Sequence, residues 1–89
     1  MSRHRNLIRN PRFEEDLRKL PADVREVDEA LEGLEWVLAR SPERGAPVGE
    51  PPLRAWPVYR WGLELLVFYI FDEESVTLLF MKVAPTEWA

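Results

Sequence analysis

Four side chains in the second half of the sequence are of the types that handle phosphate esters. Arg54, Arg60 and Lys82 bring cationic donors for negative charge, and Tyr59, next to Arg60, brings a phenol able to hold or pass a proton. The same residues serve equally well as solvated strand positions or ion-pair partners, and their spacing does not select between the two readings. His4 is the sole histidine, and a lone imidazole near a terminus lacks the companion ligands of a metal site. Glu73 and Glu74 fall in a tight turn, where carboxylates are ordinarily solvated. With no cysteine, disulfides and thiolate-bound metals are excluded. No nucleophile triad or phosphate-cradling glycine loop is present, so neither a metal nor a cofactor is expected.

The tryptophans also admit two roles. Trp56, Trp61 and Trp88 are residues on which bases can stack, yet tryptophan is equally at home in packed cores and interfaces, and only Arg60 interleaves with the Trp56/Trp61 pair. Trp36 falls on the flank of a helix and reads as core or interface. Charge narrows the partners further. The chain carries a net charge of −4, which argues against its whole surface binding nucleic acid or an anionic membrane. The distribution is uneven: residues 1–12 hold Arg3, Arg5, Arg9 and Arg12 and no acid, whereas residues 13–36 hold nine acids against three bases. The basic arm can contact RNA or an acidic partner, or neutralise the acidic helix region of its own chain or a second copy.

These side chains need a scaffold, and 89 residues allow one domain. Such a chain buries roughly 60 to 65% of its unfolded surface, so nearly every apolar residue is needed for the core. Phe13, Leu17 and Leu20 recur at helical spacing, with Asn10 placed to cap and Pro11 suited to the first helical position. Pro21 predicts a turn and the start of a second helix, whose apolar positions are Val24, Val27, Leu31, Leu34 and Leu38. Ser41-Pro42 ends that helix, and residues 42–52 read as a surface loop.

Beyond the loop the period changes to two. Three strands are expected, over residues 53–60, 63–71 and 76–84, joined at Trp61-Gly62 and across residues 72–75. Connections this short require antiparallel neighbours, with residues 63–71 in the centre. The central strand is apolar on both alternating sets: Leu65, Val67 and Tyr69 on one, Leu66, Phe68 and Ile70 on the other. One face can lie under the helix pair. The other, with Met81 and Trp61 added from its flanks, needs a second cover and is the candidate partner-binding surface. The cover can be the N-terminal arm, a second copy of the chain or a partner peptide. No apolar run is long enough for a membrane span and no signal-peptide core follows the basic N-terminus, so a cytoplasmic protein is expected.

Three segments together resemble the RelE/ParE toxin superfamily of bacterial toxin–antitoxin systems. They are Phe13 to Pro21 with Val24-Arg25, the loop from Ser41-Pro42 to Leu53-Arg54, and Leu66 to Glu73 followed by Val76 to Val83. The resemblance implies a single α+β domain over residues 1–89: a basic arm or short first strand within 1–12, an αα-hairpin over 13–40, and an antiparallel meander over 53–84. The sheet is thus three- to four-stranded and mainly antiparallel, and Leu7-Ile8 is the sole candidate for the extra strand. The resemblance further implies an antitoxin partner, with RNA, the ribosome or gyrase as the target class; the apolar face adds self-association.

Ribosome-dependent mRNA cleavage is the enzymatic activity the resemblance implies. The positions at which such chains carry an arginine and, later, basic and aromatic residues hold Leu65 beside Glu64, and Pro85, Thr86 and Glu87. Catalysis is therefore not carried over, and Arg54, Tyr59, Arg60 and Lys82 stand as weak substitutes. The leading expectation is a toxin-family protein acting by macromolecular binding. A catalytically inactive, self-associating interaction module of the same fold is the alternative.

Overall fold

In the computed structural model, which describes residues 4–20, 23–50, 52–60 and 62–83, two helices cover one face of a five-stranded mixed sheet. The chain order is β1 (Asn6–Arg9), α1 (Pro11–Arg18), α2 (Val24–Arg40), a single 3-10 turn (Pro42–Arg44), β2 (Ala46–Pro47), β3 (Arg54–Arg60), β4 (Leu63–Phe71) and β5 (Ser75–Val83). The strands lie side by side as β1-β5-β4-β3-β2. The expected meander is present as β3, β4 and β5, with β4 central and both of its pairings antiparallel.

Two strands extend that meander. Leu7-Ile8 does form the first strand, and β1 runs parallel to β5 with Leu7 opposite Val76. Inside the expected loop, Ala46 and Pro47 pair with Ala55 and Arg54. A two-residue strand bordered by proline has no alternation to reveal it, so it was not legible as a strand.

The helix signals act as read. Asn10 accepts a hydrogen bond from the Arg12 amide at 2.9 Å, and Pro11 opens α1. The second helix opens at Val24, three residues after the expected start at Pro21, because Asp23 caps it, accepting from the Glu26 amide at 2.9 Å. Pro21, Ala22, Trp61 and residues 84–89 lie outside the described residues, and with them the turn expected at Pro21 and the last position of the final strand. Of the expected α2 stripe, Val27, Leu31, Leu34 and Leu38 are buried, whereas Val24, in the first turn of the helix, is exposed. The buried positions pack with Phe13 of α1 on Leu65, Val67 and Tyr69 of β4 and on Val76, Leu78 and Met81 of β5.

Met81 corrects one expectation. Strict alternation places it with Phe68 and Ile70 on the uncovered face, but Phe68 pairs with Phe80 while Tyr69 pairs with Leu78. Leu79 is therefore a bulge residue, and the extra residue reverses the alternation beyond it. Met81, opposite Val67, turns to the helix side and is 9% exposed.

The parts of β5 and β3 that lack a full neighbouring strand are shielded, which matters because an open edge invites strand addition. Beyond β1, helix α1 runs beside the rest of β5, and the Asp16 carboxylate accepts the Met81 amide at 3.0 Å, as a neighbouring strand would. On the other side, β2 covers only Arg54 and Ala55. The Val48 amide donates to the Leu53 carbonyl at 3.0 Å, so odd-numbered residues of β3 aim their backbone groups outward. Pro57 occupies one of these positions and has no N–H to offer a new strand.

Candidate functional site

The face of the sheet turned away from the helices carries Leu66, Phe68 and Ile70 of β4, and their cross-strand neighbours are Pro57, Ala55, Lys82, Phe80 and Thr77. Ile8 of β1, opposite Thr77, extends the row and is 47% exposed. Leu66, Phe68, Ile70 and Phe80 are only half-buried, although among the described residues no layer lies over them. They shelter one another: the Phe68 and Phe80 rings stack with centroids 4.6 Å apart and 17° between their planes. An aromatic pair of this kind adds to the free energy of burial by its own contact.

Cations border the pair. The Arg12 guanidinium carbon lies 4.9 Å from the Phe80 centroid and the Lys82 ammonium 5.9 Å from it. Arg12 reaches this position because α1 lies along the β5 edge, so its first turn overlooks the outer face while Phe13, the next residue, enters the core. The result is an apolar aromatic centre with a positive rim, the arrangement expected of a surface that binds acidic or amphipathic macromolecular segments. Phe80 was not anticipated as a site residue, and Arg12 was expected only as part of the basic arm. The bulge at Leu79 hid the first by breaking the alternation, and the second depends on where α1 lies in space.

The four candidates for phosphate chemistry do not converge. Arg54 and Arg60 stand at the two ends of β3, about 20 Å apart at the usual rise per residue, and their parity turns them to the helix side, opposite Tyr69 and Leu63. Arg54 is occupied there: its Nη1 donates to the Glu43 carbonyl at 3.1 Å and the Gly45 carbonyl at 2.6 Å. Tyr59 and Lys82 share the outer face but sit on strands separated by β4. The hydrogen bond to Glu64 pushes the exposed Tyr59 phenol above its ordinary pKa, so it holds its proton more firmly and is a poorer proton donor. Of the expected partner-binding residues, Leu66, Phe68 and Ile70 share this face, Met81 is on the other, and Trp61 is outside the described residues.

The remaining sequence-level candidates are structural or peripheral in placement. Trp56 packs on the helix side beneath Arg44, whose guanidinium carbon is 5.6 Å from its ring centre. Trp36 is 59% exposed on α2 with Arg40 stacked over it at 4.1 Å. Arg9 of the basic arm forms a two-pronged bond with Glu35 of the acidic helix, at 2.8 and 3.0 Å, which realises intramolecular neutralisation for that residue. That hydrogen bond is also the main reason its pKa is raised. Among the described residues, no three His, Asp or Glu side chains are grouped to hold a metal ion, and no helix is long and apolar enough to cross a membrane.

No protein-family model and no curated protein sequence matches the chain. Solved structures do match. The chain is similar to one in the toxin–antitoxin complex RelBE2 from Mycobacterium tuberculosis, with a TM-score of 0.70 and 23% identity over 92% of this chain and 93% of that one. It is also similar to one in the intact RelBE toxin–antitoxin complex of E. coli, with a TM-score of 0.66 and 21% identity over 91% and 98%. At these identities the likeness defines the fold, and the fold is that of RelE-like toxins.

Proposed function

We propose that this chain is a RelE-like toxin of a bacterial toxin–antitoxin pair, held in check by an antitoxin protein, and that it acts in the cytoplasm by binding a macromolecule through the outer sheet face. One observation carries the reading: the fold is shared over more than nine tenths of both chains with members of two toxin–antitoxin complexes. The outer face supports it, since Leu66, Phe68, Ile70 and Phe80 form an apolar centre beside Arg12 and Lys82 that no described residue covers as a layer. Binding is favoured over mRNA cleavage because Arg54 and Arg60 are turned away from Tyr59 and Lys82. The RNA, ribosome or gyrase target class rests on the resemblance.

The experiment is induced expression in a bacterial host, alone and together with the adjacent reading frame. Growth arrest that the neighbour relieves, with the two products co-purifying, is the expected result. Unchanged growth and no complex would refute the toxin–antitoxin reading. Phe68→Glu and Lys82→Glu, checked for retained fold, are expected to abolish arrest if the outer face is the working surface. A stable homodimer that buries Phe68 and Ile70 and leaves growth untouched would favour the second reading, a catalytically inactive self-associating module.

A further inference from the structure

A separate arginine cluster occupies the helix side of the sheet, at the end where β4 finishes and β1 and β3 begin. Phe71, the last residue of β4, has the Arg5 guanidinium carbon 5.6 Å from its ring centre and that of Arg54 at 5.8 Å. Beside it opens a cleft of about 230 Å³ walled by Pro47, Pro52, Leu53, Arg54 and Phe71. Arg5 Nε donates to the Asp72 carbonyl at 2.7 Å and Arg54 Nη1 to two carbonyls of the 3-10 turn region. Among the described residues no carboxylate oxygen lies within ion-pair distance of either guanidinium. Carbonyl acceptors orient a guanidinium without cancelling its charge, so two fixed positive groups border an apolar cleft.

We propose that this cleft binds an acidic, apolar peptide segment of a protein partner, whose carboxylates meet Arg5 and Arg54 while an aliphatic side chain rests on Pro47, Pro52 and Leu53. The planar donor forks of arginine match carboxylates in pairs, and the remaining N–H groups of both side chains are available for that bond. The Asp72 carboxylate acts on Arg5 through space without reaching ion-pair distance. Asp72 Oδ1 is taken up by the Glu74 and Ser75 amides, both at 2.8 Å, and by Ser75 Oγ at 3.3 Å.

A nucleic acid fits less well. The Phe71 ring is already engaged by two guanidiniums and is not a free stacking platform for a base. The proposal is independent of the toxin reading, because it concerns a different surface and its test reads binding alone.

The test titrates the isotopically labelled full chain with a synthetic peptide of alternating glutamate and leucine, following amide nitrogen–proton correlation spectra. A glutamine–leucine peptide and a short single-stranded RNA run in parallel. The expected result is saturable shifts at Arg5, Leu53, Arg54 and Phe71 with the acidic peptide, weakened by raised salt. Arg5→Gln and Pro52→Glu, the latter at an exposed position, should each weaken that binding about five- to tenfold, while Ile8→Glu on the outer face leaves it unchanged. Equal binding of the glutamine peptide, tighter binding of the RNA at these residues, shifts confined to the outer face, or indifference to Pro52→Glu would each overturn the proposal.

Discussion

Removing one oxygen atom, by Tyr69→Phe, tests how the loop between the helices and the sheet is held. Tyr69 is fully buried in the centre of β4, and its hydroxyl donates to the Pro42 carbonyl at 2.5 Å and accepts the Gly45 amide at 3.0 Å. Phenylalanine fills the same space but leaves one carbonyl and one amide without partners in a dry site. Each such loss costs about 1 to 3 kcal/mol, so the variant should lose roughly 2 to 4 kcal/mol after partial relaxation. In a domain of this size that corresponds to a fall in Tm of about 10 to 25 °C, measured by circular dichroism. Burial also raises the Tyr69 pKa above its ordinary value, outweighing the Gly45 hydrogen bond and the Arg54 charge that lower it. The neutral phenol therefore stabilises the fold fully below the unfolded value of about 10, and this contribution is lost as pH rises through the folded value. The wild type should lose stability in that alkaline window, and Tyr69→Phe should lose less. A Tm within about 3 °C of wild type would refute the claim that this hydroxyl fastens the loop.

Three further expectations can be checked on the same material. Gly45 has an ordinary φ of −70°, yet an added Cβ would collide with the Tyr69 ring, so Gly45→Ala should cost about 1 to 3 kcal/mol in urea unfolding, through crowding and not backbone strain. Asp16→Ala removes the acceptor of the Met81 amide, and should lower stability by about 1.5 to 3 kcal/mol and raise self-association by light scattering, since the β5 edge is opened; unchanged behaviour in both would show that α1 does not guard that edge. The Glu74 and Ser75 amides hold the Asp72 carboxyl below its usual pKa, so the support it lends the β4–β5 turn is present above the unfolded carboxylate pKa and is lost as pH falls through the lowered folded value. Asp72→Ala should therefore lower the protection factors of the residue 74 and 75 amides at neutral pH and remove most of their fall between neutral and acid.

Much of the fold is legible in the sequence because local chemistry decides it. Asn10-Pro11 opens a helix and Ser41-Pro42 closes one by local capping and steric rules, and the run from Leu63 to Phe71, apolar on both alternating sets, reads as a central strand. The short connections after it then force a meander. Less of the site was legible. The apolar row Leu66, Phe68 and Ile70 follows from alternation, whereas Met81 was assigned to the wrong face because a one-residue bulge reverses parity without changing composition. The phosphate-type candidates were of the right kinds, but side-chain type does not report the face: Arg54 and Arg60 share a parity that Tyr59 and Lys82 do not.

By itself, then, the sequence determined the helix pair, the antiparallel meander, the absence of thiol chemistry and an apolar excess on the central strand, all of which depend on neighbours a few residues apart. Only the tertiary structure decided what those elements meet. It pairs β1 with β5, whose partners Asn6 and Ser75 stand 69 positions apart, lays α1 along an edge so that Asp16 replaces a strand, and brings Arg12 over Phe80 and Arg5 and Arg54 over Phe71. Contacts between distant residues depend on register and packing angle, and a single bulge or a shifted helix axis changes them while the local pattern stays the same.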